Sequence, residues 1–463
     1  MTDPRIDGLI SEAKSLRYSR RQVMRRAVAL GLSVPAVTTA LQTSGYAAPN
    51  QTRRFSSAPA FLQGTSLHIL GASYFVVAGE ERFREQMAEF GEANGVDVTL
   101  DLVAWPDLQA RIAASIQAQA GVDIIQLWDP WPYLYSENLV DVNDIATPHA
   151  DAHGGFYDWV VKTASVDGSW HSVPYGTSSS AYAYRMSHFA EVGYETFPDT
   201  WEDLFAAGKA LKEAGLPPLG QSLGHSLGDP PSFTYPYMWA YGAMEVEEDG
   251  TTVAFNKPEF VAGMETFIQA WEDAFDTTGT AWDDSTNNTA YLAGELSATL
   301  NGSSIYIAAG RSEADGGNPE IREDTNHADF PQGPAGRFTN IGAQSWGVTT
   351  FSENVEGAKA FLEYWYSEDQ LVSWYNANGG YYIPAASGFA ELPVYTEDPK
   401  LAPYLNLVNY GRNKGYAGPS DERAALAYSQ YIVIDTFARA VEDGDAQSAI
   451  EWGADQLERI YSR

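Results

Sequence analysis

Short apolar runs and longer amphipathic stretches alternate along the chain after residue 64. The amphipathic stretches at 80–93 and 108–120 carry apolar residues at helical spacing, with Gly95 just past the first and Pro106 at the start of the second. Three apolar runs have the length and composition of buried strands: 67–70, 96–103 and 124–127. This β-α-β-α-β order predicts parallel strands with right-handed crossovers, and therefore an α/β fold.

The same kind of pattern continues to the C-terminus. Thr200 followed by Asp203 matches a capping box, so a helix is expected from residue 201 until Gly215. Further strands are predicted at 169–174, 181–186 and 296–300, and further helices from Pro258 and over 355–366, 368–377, 422–441 and 446–461. A chain of 463 residues exceeds what one hydrophobic core usually serves, which favours two domains or lobes.

The run at 124–127 opens directly into aromatic and acidic residues. Trp128, Asp129, Trp131 and Tyr133 follow it, interleaved with prolines. Ligands of open α/β sheets gather beyond the carboxyl ends of strands, and aromatic faces with an acceptor carboxylate suit a polyhydroxylated ring. We therefore predict a binding site here. The alternative is that both tryptophans are core residues and that Asp129 caps a turn.

The charge and the N-terminus indicate the compartment. The formal net charge of -33 argues against nucleic acid and membrane-surface partners. Residues 19–24 read SRRQVM and precede an uncharged, moderately apolar run, which predicts a twin-arginine signal peptide over 1–48 and a flexible lead-in over 49–64. The chain has no cysteine, so it has neither disulfides nor a lipid-bearing cysteine. We expect the periplasm, reached by the twin-arginine route.

A series of motifs in order carries a family resemblance. They are GVDIIQLW at 121–128, GSWHSVPYG at 168–176, PDTW at 198–201, LAGE at 292–295 leading to LNG at 300–302, and AKAFL at 358–362 leading to GGYYIP at 379–384. Taken together, residues 64–463 resemble the extracellular sugar-binding proteins of ABC importers, the family 1 solute-binding proteins related to maltose-binding protein.

The resemblance implies a two-lobed periplasmic-binding-protein fold of type II, with discontinuous lobes, a multi-strand hinge and a ligand cleft between the lobes. It places the N-terminal lobe at 65–174 and 327–379, and the C-terminal lobe at 175–326 and 380–463. It also implies a monomer that is not an enzyme, needs no cofactor or metal, binds a carbohydrate and delivers it to a membrane permease with its ATPase.

The resemblance also suggests ligand-binding residues. Many relatives have Pro-Trp after the Asn-Gly of the LNG motif, whereas Ser303 and Ser304 stand here, which argues against a maltodextrin ligand. Trp131 and Trp346 are expected to stack on the sugar from opposite lobes, and Asp129 to accept its hydroxyls. The complete expected set is Tyr74, Trp128, Asp129, Trp131, Tyr184, Asp229, Tyr235, Asn301, Trp346 and Tyr382.

Two kinds of enzyme compete with this interpretation. Residues 224–228 read GHSLG, which fits the nucleophile elbow of a serine esterase with Ser226 as nucleophile. An elbow needs a strand before the serine and a helix after it, yet prolines flank this one, and His327 is the single histidine that follows. Adjacent acids such as Asp283 and Asp284 could suggest a glycosidase, but in so acidic a chain we expect them to be solvated. The histidines show no zinc-ligand spacing.

Overall fold

The computed structural model describes residues 62–178 and 180–462. The predicted signal peptide and nearly all of the lead-in lie outside this range. The strands are β1 Ser66–Ala72, β2 Asp97–Val103, β3 Ile124–Trp128, β4 Ser165–Val166, β5 Ser169–Trp170, β6 Val173–Ser178, β7 Ala181–Arg185, β8 Leu219–Gly220, β9 Ala298–Asn301, β10 Thr325–Ala328, β11 Thr339–Asn340, β12 Gln344–Val348, β13 Tyr382–Pro384 and β14 Gly411–Arg412.

The α-helices are α1 Val77–Asn94, α2 Trp105–Ala118, α3 Trp131–Tyr135, α4 Asn143–Ala152, α5 Asp158–Ala164, α6 Met186–Glu191, α7 Trp201–Glu213, α8 Asp229–Ala240, α9 Pro258–Ala274, α10 Thr286–Leu292, α11 Ser304–Ala309, α12 Pro319–Asp324, α13 Val355–Trp365, α14 Glu368–Ala377, α15 Pro393–Thr396, α16 Ala402–Asn406, α17 Glu422–Ser429, α18 Ile432–Asp443 and α19 Ala446–Tyr461. Short 3-10 turns lie at Ser136–Asn138, Thr277–Ala281, Glu313–Asp315, Ser387–Phe389, Pro399–Leu401 and Leu407–Asn409.

Lobe 1 is built on a sheet of six strands in the order β13-β6-β12-β3-β1-β2. Strands β1, β2 and β3 are parallel, as predicted, and β12 runs antiparallel to β3. Neighbouring residues of one strand face opposite cores: Ile124 joins the cluster that holds Phe83 and Trp365, while Ile125 joins the cluster that holds Leu108 of α2. Because both faces of β3 are covered, this strand reads as a nearly continuous apolar run, whereas β2 lies at the edge of the sheet and alternates polar with apolar residues.

Lobe 2 is built on a sheet of four strands in the order β10-β7-β9-β8. Its helices α7, α8, α9 and α18 meet in a core rich in aromatic rings, among them Trp201, Phe233 and Phe267. Helix α7 begins as predicted, since the Thr200 side chain accepts a hydrogen bond from the Asp203 N–H at 3.1 Å. The close packing of these rings forms the centre of lobe 2, and the same buried cluster continues into lobe 1 through Leu108 and Trp131.

The chain passes between the two sheets twice within the described residues, after Ser178 of β6 and between Ala328 of β10 and Gln344 of β12. A third segment, from Tyr395 to Asp398, contacts both lobes. The Tyr395 hydroxyl donates to the Tyr382 carbonyl of lobe 1, whereas Asp398 accepts from Tyr306 of lobe 2.

The boundary positions expected from the resemblance, near Tyr175, His327 and Gly380, lie in or next to strands of these sheets. Tyr175 and Tyr382 remain in the lobe 1 sheet, where Tyr382 is paired with Ser178. His327 remains in the lobe 2 sheet, paired with Ala183. The sequence motifs therefore indicate the strands beside the connections between the lobes. Each strand continues beyond its motif for as long as it is paired in the sheet.

The helix predicted over 422–441 is also different. It is two helices, α17 and α18, because Tyr431 takes a left-handed conformation with φ 57° and ends the first one. The sequence pattern predicts a single helix because α17 and α18 both bury apolar residues at helical spacing. Among the described residues, no helix has the length and apolar character needed to cross a membrane.

Candidate functional site

A narrow pocket lies between the two lobes. Its lining includes Phe75, Trp105 and Trp128 of lobe 1 on one side and Asp229, Ser232 and Asn301 of lobe 2 on the other. The cavity volume is about 40 Å³, which holds only a few water molecules. The walls are therefore close together, and a sugar ring can enter only when they separate.

The lobe 1 wall is aromatic. Phe75, Trp105 and Trp128 stand at or just beyond the carboxyl ends of the parallel strands β1, β2 and β3, which all meet at this edge of the sheet. Trp105 and Trp128 pack edge to face with ring centroids 4.6 Å apart. Tyr381, just before β13, lies 6.3 Å from Phe75 between ring centroids. The sheet topology thus collects four rings on one wall.

A buried polar chain inside lobe 1 leads to the same wall. Gln126 accepts from the Ala72 N–H at 2.8 Å and donates to the Tyr175 hydroxyl at 2.6 Å. Tyr175 in turn donates to Gln344 at 2.7 Å, and Gln344 donates to the Ser178 hydroxyl at 3.0 Å. Because each buried group is satisfied by the next, the chain fixes Ser178 at the pocket, next to the first passage between lobes.

The lobe 2 wall is acidic, and the first turn of helix α8 forms part of it. Asp284 accepts hydrogen bonds from the backbone N–H groups of Gly228, at 3.2 Å, and Asp229, at 2.7 Å. These are unpaired donors of the first helical turn, where a carboxylate is favoured. Gly228 has no room for a side chain, because a Cβ there would lie 2.8 Å from the Asp284 carboxyl carbon. The backbone thus brings both carboxyl groups to the same place.

Burial changes the protonation of these two carboxyl groups. It raises the pKa of Asp229 well above its usual range, and the neighbouring Asp284 raises it further. Burial also raises the pKa of Asp284, although the hydrogen bonds that it accepts oppose this. Two adjacent buried carboxyls cannot easily both be charged, so they retain a shared proton at a pH where an exposed aspartate is ionised.

Amide side chains orient the rest of this wall. Asn287 of α10 donates to Asp229 Oδ2 at 2.7 Å and to the Leu300 carbonyl of β9 at 3.3 Å. The Asn301 amide donates to Asn288. These contacts connect α8, α10 and the end of β9, so the acceptors of the wall are held in position by buried hydrogen bonds.

Asp129 lies behind the wall, in a buried ion pair. Its Oδ2 is 3.2 Å from Lys414 Nζ, and its Oδ1 accepts from Ser420 Oγ at 2.9 Å. Burial raises the pKa of Asp129, and Lys414 opposes that rise. Burial lowers the pKa of Lys414, and Asp129 opposes that change. Lys414 itself lines the pocket, so Asp129 acts on the pocket through the lysine that it neutralises.

Of the ten expected site residues, three line the pocket: Trp128, Asp229 and Asn301. The structure places four others in the core of lobe 1. Trp131 is fully buried in α3, Trp346 stacks on Phe83 at 5.4 Å between centroids, and Tyr382 stacks on Trp374 at 4.7 Å. Tyr74 also packs against Trp374. Trp131 and Trp346 thus both belong to lobe 1 and do not face each other across the cleft.

The two remaining expected tyrosines lie in the core of lobe 2. Tyr184 packs against Phe189 and Phe197, and Tyr235 packs against Trp239 and donates to Glu245 at 3.4 Å. Tyr235 belongs to α8, the helix whose first residue, Asp229, faces the pocket. Tyr235 lies six residues after Asp229, on a side of the helix that faces the core.

Several pocket residues were not among those expected. Trp105 follows the second parallel strand, so the rule that selected Trp128 could have found it. Asp284, expected to be solvated, is buried in the pocket wall instead, because α8 covers it with two N–H donors. Tyr381 and Lys414 gave no comparable signal, since their places depend on contacts between distant parts of the chain.

The surroundings of Ser226 differ from those of a nucleophile elbow. Its side chain is fully buried, and the strand before it, β8, has only two residues and ends at Gly220. The neighbouring His225 ring bonds Asp435 at 2.6 Å and stacks on Tyr431. In the part of the chain that the structure describes, no group of three or more histidine, aspartate or glutamate side chains is arranged to hold a metal ion.

Two lobes of α/β structure with a lined pocket between them define a ligand-binding protein of the two-lobed type. A model of the bacterial extracellular solute-binding protein family matches residues 85–403, and the chain belongs to this family. This finding confirms the family indicated by the motifs. A protein of Brucella abortus (strain 2308) that is named as a binding protein is 21% identical over 337 residues, covering 70% of this chain and 78% of its own length.

Solved structures share the fold. Maltose-bound MalE3 of T. maritima has a TM-score of 0.72 and 18% identity, covering 86% of this chain and all of that one. An ABC transporter solute-binding protein from Thermotoga lettingae, bound with α-D-tagatose, has a TM-score of 0.73 and 17% identity, with coverages of 86% and 100%. The expected two-lobed fold is thereby confirmed.

Proposed function

We propose that this protein is the substrate-binding component of an ABC importer, and that it captures a carbohydrate and delivers it to a membrane permease with its ATPase. The observation that carries the proposal is the pocket itself, in which four aromatic rings of lobe 1 face carboxyl, amide and hydroxyl groups of lobe 2. The maltose and tagatose named for two proteins of the same fold agree with it.

Each wall suits one side of a sugar. Aromatic faces pack against the C–H side of a pyranose or furanose ring, as Trp105 and Trp128 would. The acceptors Asp229, Asp284 and Asn301 would bind its hydroxyl groups. Because the walls belong to different lobes, a ligand that contacts both stabilises their closed arrangement, and this gives the permease a form to recognise.

The remaining parts of the proposal concern location and assembly. Membership of an extracellular family supports export, and Arg20 and Arg21 in the N-terminal motif support the twin-arginine route to the periplasm. Replacing both arginines with lysine should leave the protein in the cytoplasm, whereas continued export would contradict that route. We propose that it acts as a monomer and without enzymatic activity.

The test is a binding screen on the mature protein. Thermal shift with monosaccharides, disaccharides, polyols and amino acids, followed by calorimetric titration of each hit, should give a carbohydrate with a dissociation constant in the micromolar range or below. At a hundred times that constant the ligand stabilises the fold by about 2.7 kcal/mol. Preferential binding of an amino acid, or hydrolysis of the bound sugar, would contradict the proposal. Labelling of Ser226 by a serine-directed phosphonate would favour the esterase instead.

A further inference from the structure

We propose that the ligand of the pocket is a sugar that carries a protonated amine. This inference rests on the proposed function and names the substrate class within it. Its basis is the juxtaposition, between two lobes, of two buried carboxyl groups and four aromatic rings.

The pocket lining holds more acidic than basic side chains. It contains the carboxyl groups of Asp229 and Asp284 and one cation, Lys414. Lys414 is engaged by Asp129, at 3.2 Å, and Asp129 also accepts from Ser420. Its positive charge is thus balanced from behind the wall, which leaves the two carboxyl groups of the cavity without a cationic partner.

The two carboxyl groups accept hydrogen bonds from neutral groups. Across the described residues, their hydrogen bonds come from neutral donors, among them the Asn287 amide for Asp229 and the N–H groups of Gly228 and Asp229 for Asp284. Both side chains are more than nine-tenths buried. Neutral donors offset only part of the cost of ionising two adjacent buried carboxyl groups, so the pair retains a proton, whereas a cationic ligand would stabilise the ionised form directly.

The opposite wall of the cavity is aromatic. Phe75, Trp105, Trp128 and Tyr381 line the same cavity, and aromatic faces attract an ammonium group through their quadrupole. The combination of carboxyl groups with several rings is the arrangement that proteins use for organic cations. A purely neutral sugar would use the rings for stacking but would leave the acidic pair without a cationic partner.

The ligand must also be polyhydroxylated. Neutral polar residues also line the cavity, among them Ser232, Asn301 and Ser304. They donate and accept hydrogen bonds without preferring a charge, which suits ring hydroxyls. An amino sugar satisfies both groups of residues, with its ammonium at the carboxyl pair and its hydroxyls at the neutral side chains.

The test compares matched sugars on the mature protein. Glucose, galactose and mannose are each titrated calorimetrically as the parent hydroxyl compound, the 2-amino compound and the 2-acetamido compound, at pH 6.5 where the amines are protonated. We expect at least one 2-amino sugar to bind ten-fold or more tightly than its parent and its acetamido derivative. 1,4-Diaminobutane serves as a cation without hydroxyl groups and should bind more weakly than that sugar.

Isosteric variants assign the effect to the acids. Asp229→Asn and Asp284→Asn should each reduce the preference for the amine, measured as the ratio of the dissociation constants of the parent sugar and the amine, at least five-fold. Asp443→Asn, at the exposed end of α18, removes the same formal charge and should leave the preference unchanged.

The possible failures are distinct. A parent or acetamido sugar that binds as tightly as its amine in every series overturns the amine inference and leaves the proposed function standing. Stronger binding of 1,4-diaminobutane than of any sugar, or no binding by any member of the panel, contradicts the carbohydrate function itself. An amine preference that survives both aspartate variants overturns the role of the acidic pair.

Discussion

Lys414 Nζ lies 3.2 Å from Asp129 Oδ2, and the two side chains are 2% and 0% exposed. Asp129 directly follows β3 of lobe 1, whereas Lys414 belongs to the C-terminal segment that follows β14. Breaking a buried pair leaves an uncompensated charge, which costs far more than removing both partners. We predict that Asp129→Asn lowers the free energy of unfolding by roughly 3–5 kcal/mol, measured by urea denaturation.

The control for that prediction is the double variant Asp129→Asn with Lys414→Met. It removes both charges, so it should recover much of the lost stability. If Asp129→Asn is as stable as the original protein and only loses ligand affinity, Asp129 is a ligand acceptor, as the sequence pattern alone suggested.

Trp128 and Trp131 provide a second pair of contrasting predictions. Trp128 lines the pocket, while Trp131 is fully buried in α3, three residues further on. Trp128→Ala should weaken sugar binding by roughly ten- to a hundred-fold, because it removes a stacking face. The loss is measured by calorimetric titration.

The matched change at the core position should act on stability instead. Trp131→Ala leaves a large cavity and should cost roughly 3–5 kcal/mol in urea denaturation. At a temperature where this variant is folded, its affinity should stay within about three-fold of the original. An exchange of the two phenotypes would mean that the indole of α3, not that of β3, meets the ligand.

The contrast between these indoles shows what the sequence could predict. The parallel strands, their order and the pocket at their carboxyl ends follow from the apolar runs and turn residues, since these depend on local pattern. Trp128 is the last residue of β3, and the same pattern predicts that it lies at the carboxyl end of the strand. Trp131 begins a helix, and one helical turn decides that it faces the core.

The acidic wall shows what could not be predicted. Asp284 belongs to a pair of acids in a very acidic chain, and its burial follows only from its position under the first turn of α8. The partner of Asp129 is a lysine from the far end of the chain. No local pattern encodes such contacts, because they arise when separate segments meet in the folded protein.

Glu245 gives a prediction about pH. It is fully buried, its carboxyl group accepts from Tyr235 at 3.4 Å and from the Gly415 N–H, and burial raises its pKa from 4.5 to about 8. The folded protein therefore binds a proton more tightly than the unfolded chain. The resulting stability is complete below pH 4.5 and is lost as the pH rises to 8, by at most about 1.4 kcal/mol per pH unit.

Glu245→Gln mimics the protonated acid and should remove this dependence. The variant should gain in unfolding free energy relative to the original protein between pH 5 and pH 8, measured by urea denaturation at each pH. Glu248→Gln, at an exposed position nearby in the chain, is the control and should not change the slope. Parallel curves for the original protein and Glu245→Gln would show that Glu245 is ionised when folded.

The last prediction concerns movement of the lobes. Two passages of the chain join the two sheets and a third segment contacts both lobes, so small torsional changes in those segments can move the lobes relative to each other. The cavity of about 40 Å³ is too small for a sugar ring to enter unless they separate. Without ligand, solution scattering should therefore give a radius of gyration larger than that calculated from this structure, and a saturating sugar should reduce it. The same sugar at the same concentration should leave the curve of Trp128→Ala closer to the open form, because fewer molecules are occupied. A saturated original protein whose scattering does not change would show that the cleft is rigid, and a permease would then have to recognise the loaded protein by some feature other than closure.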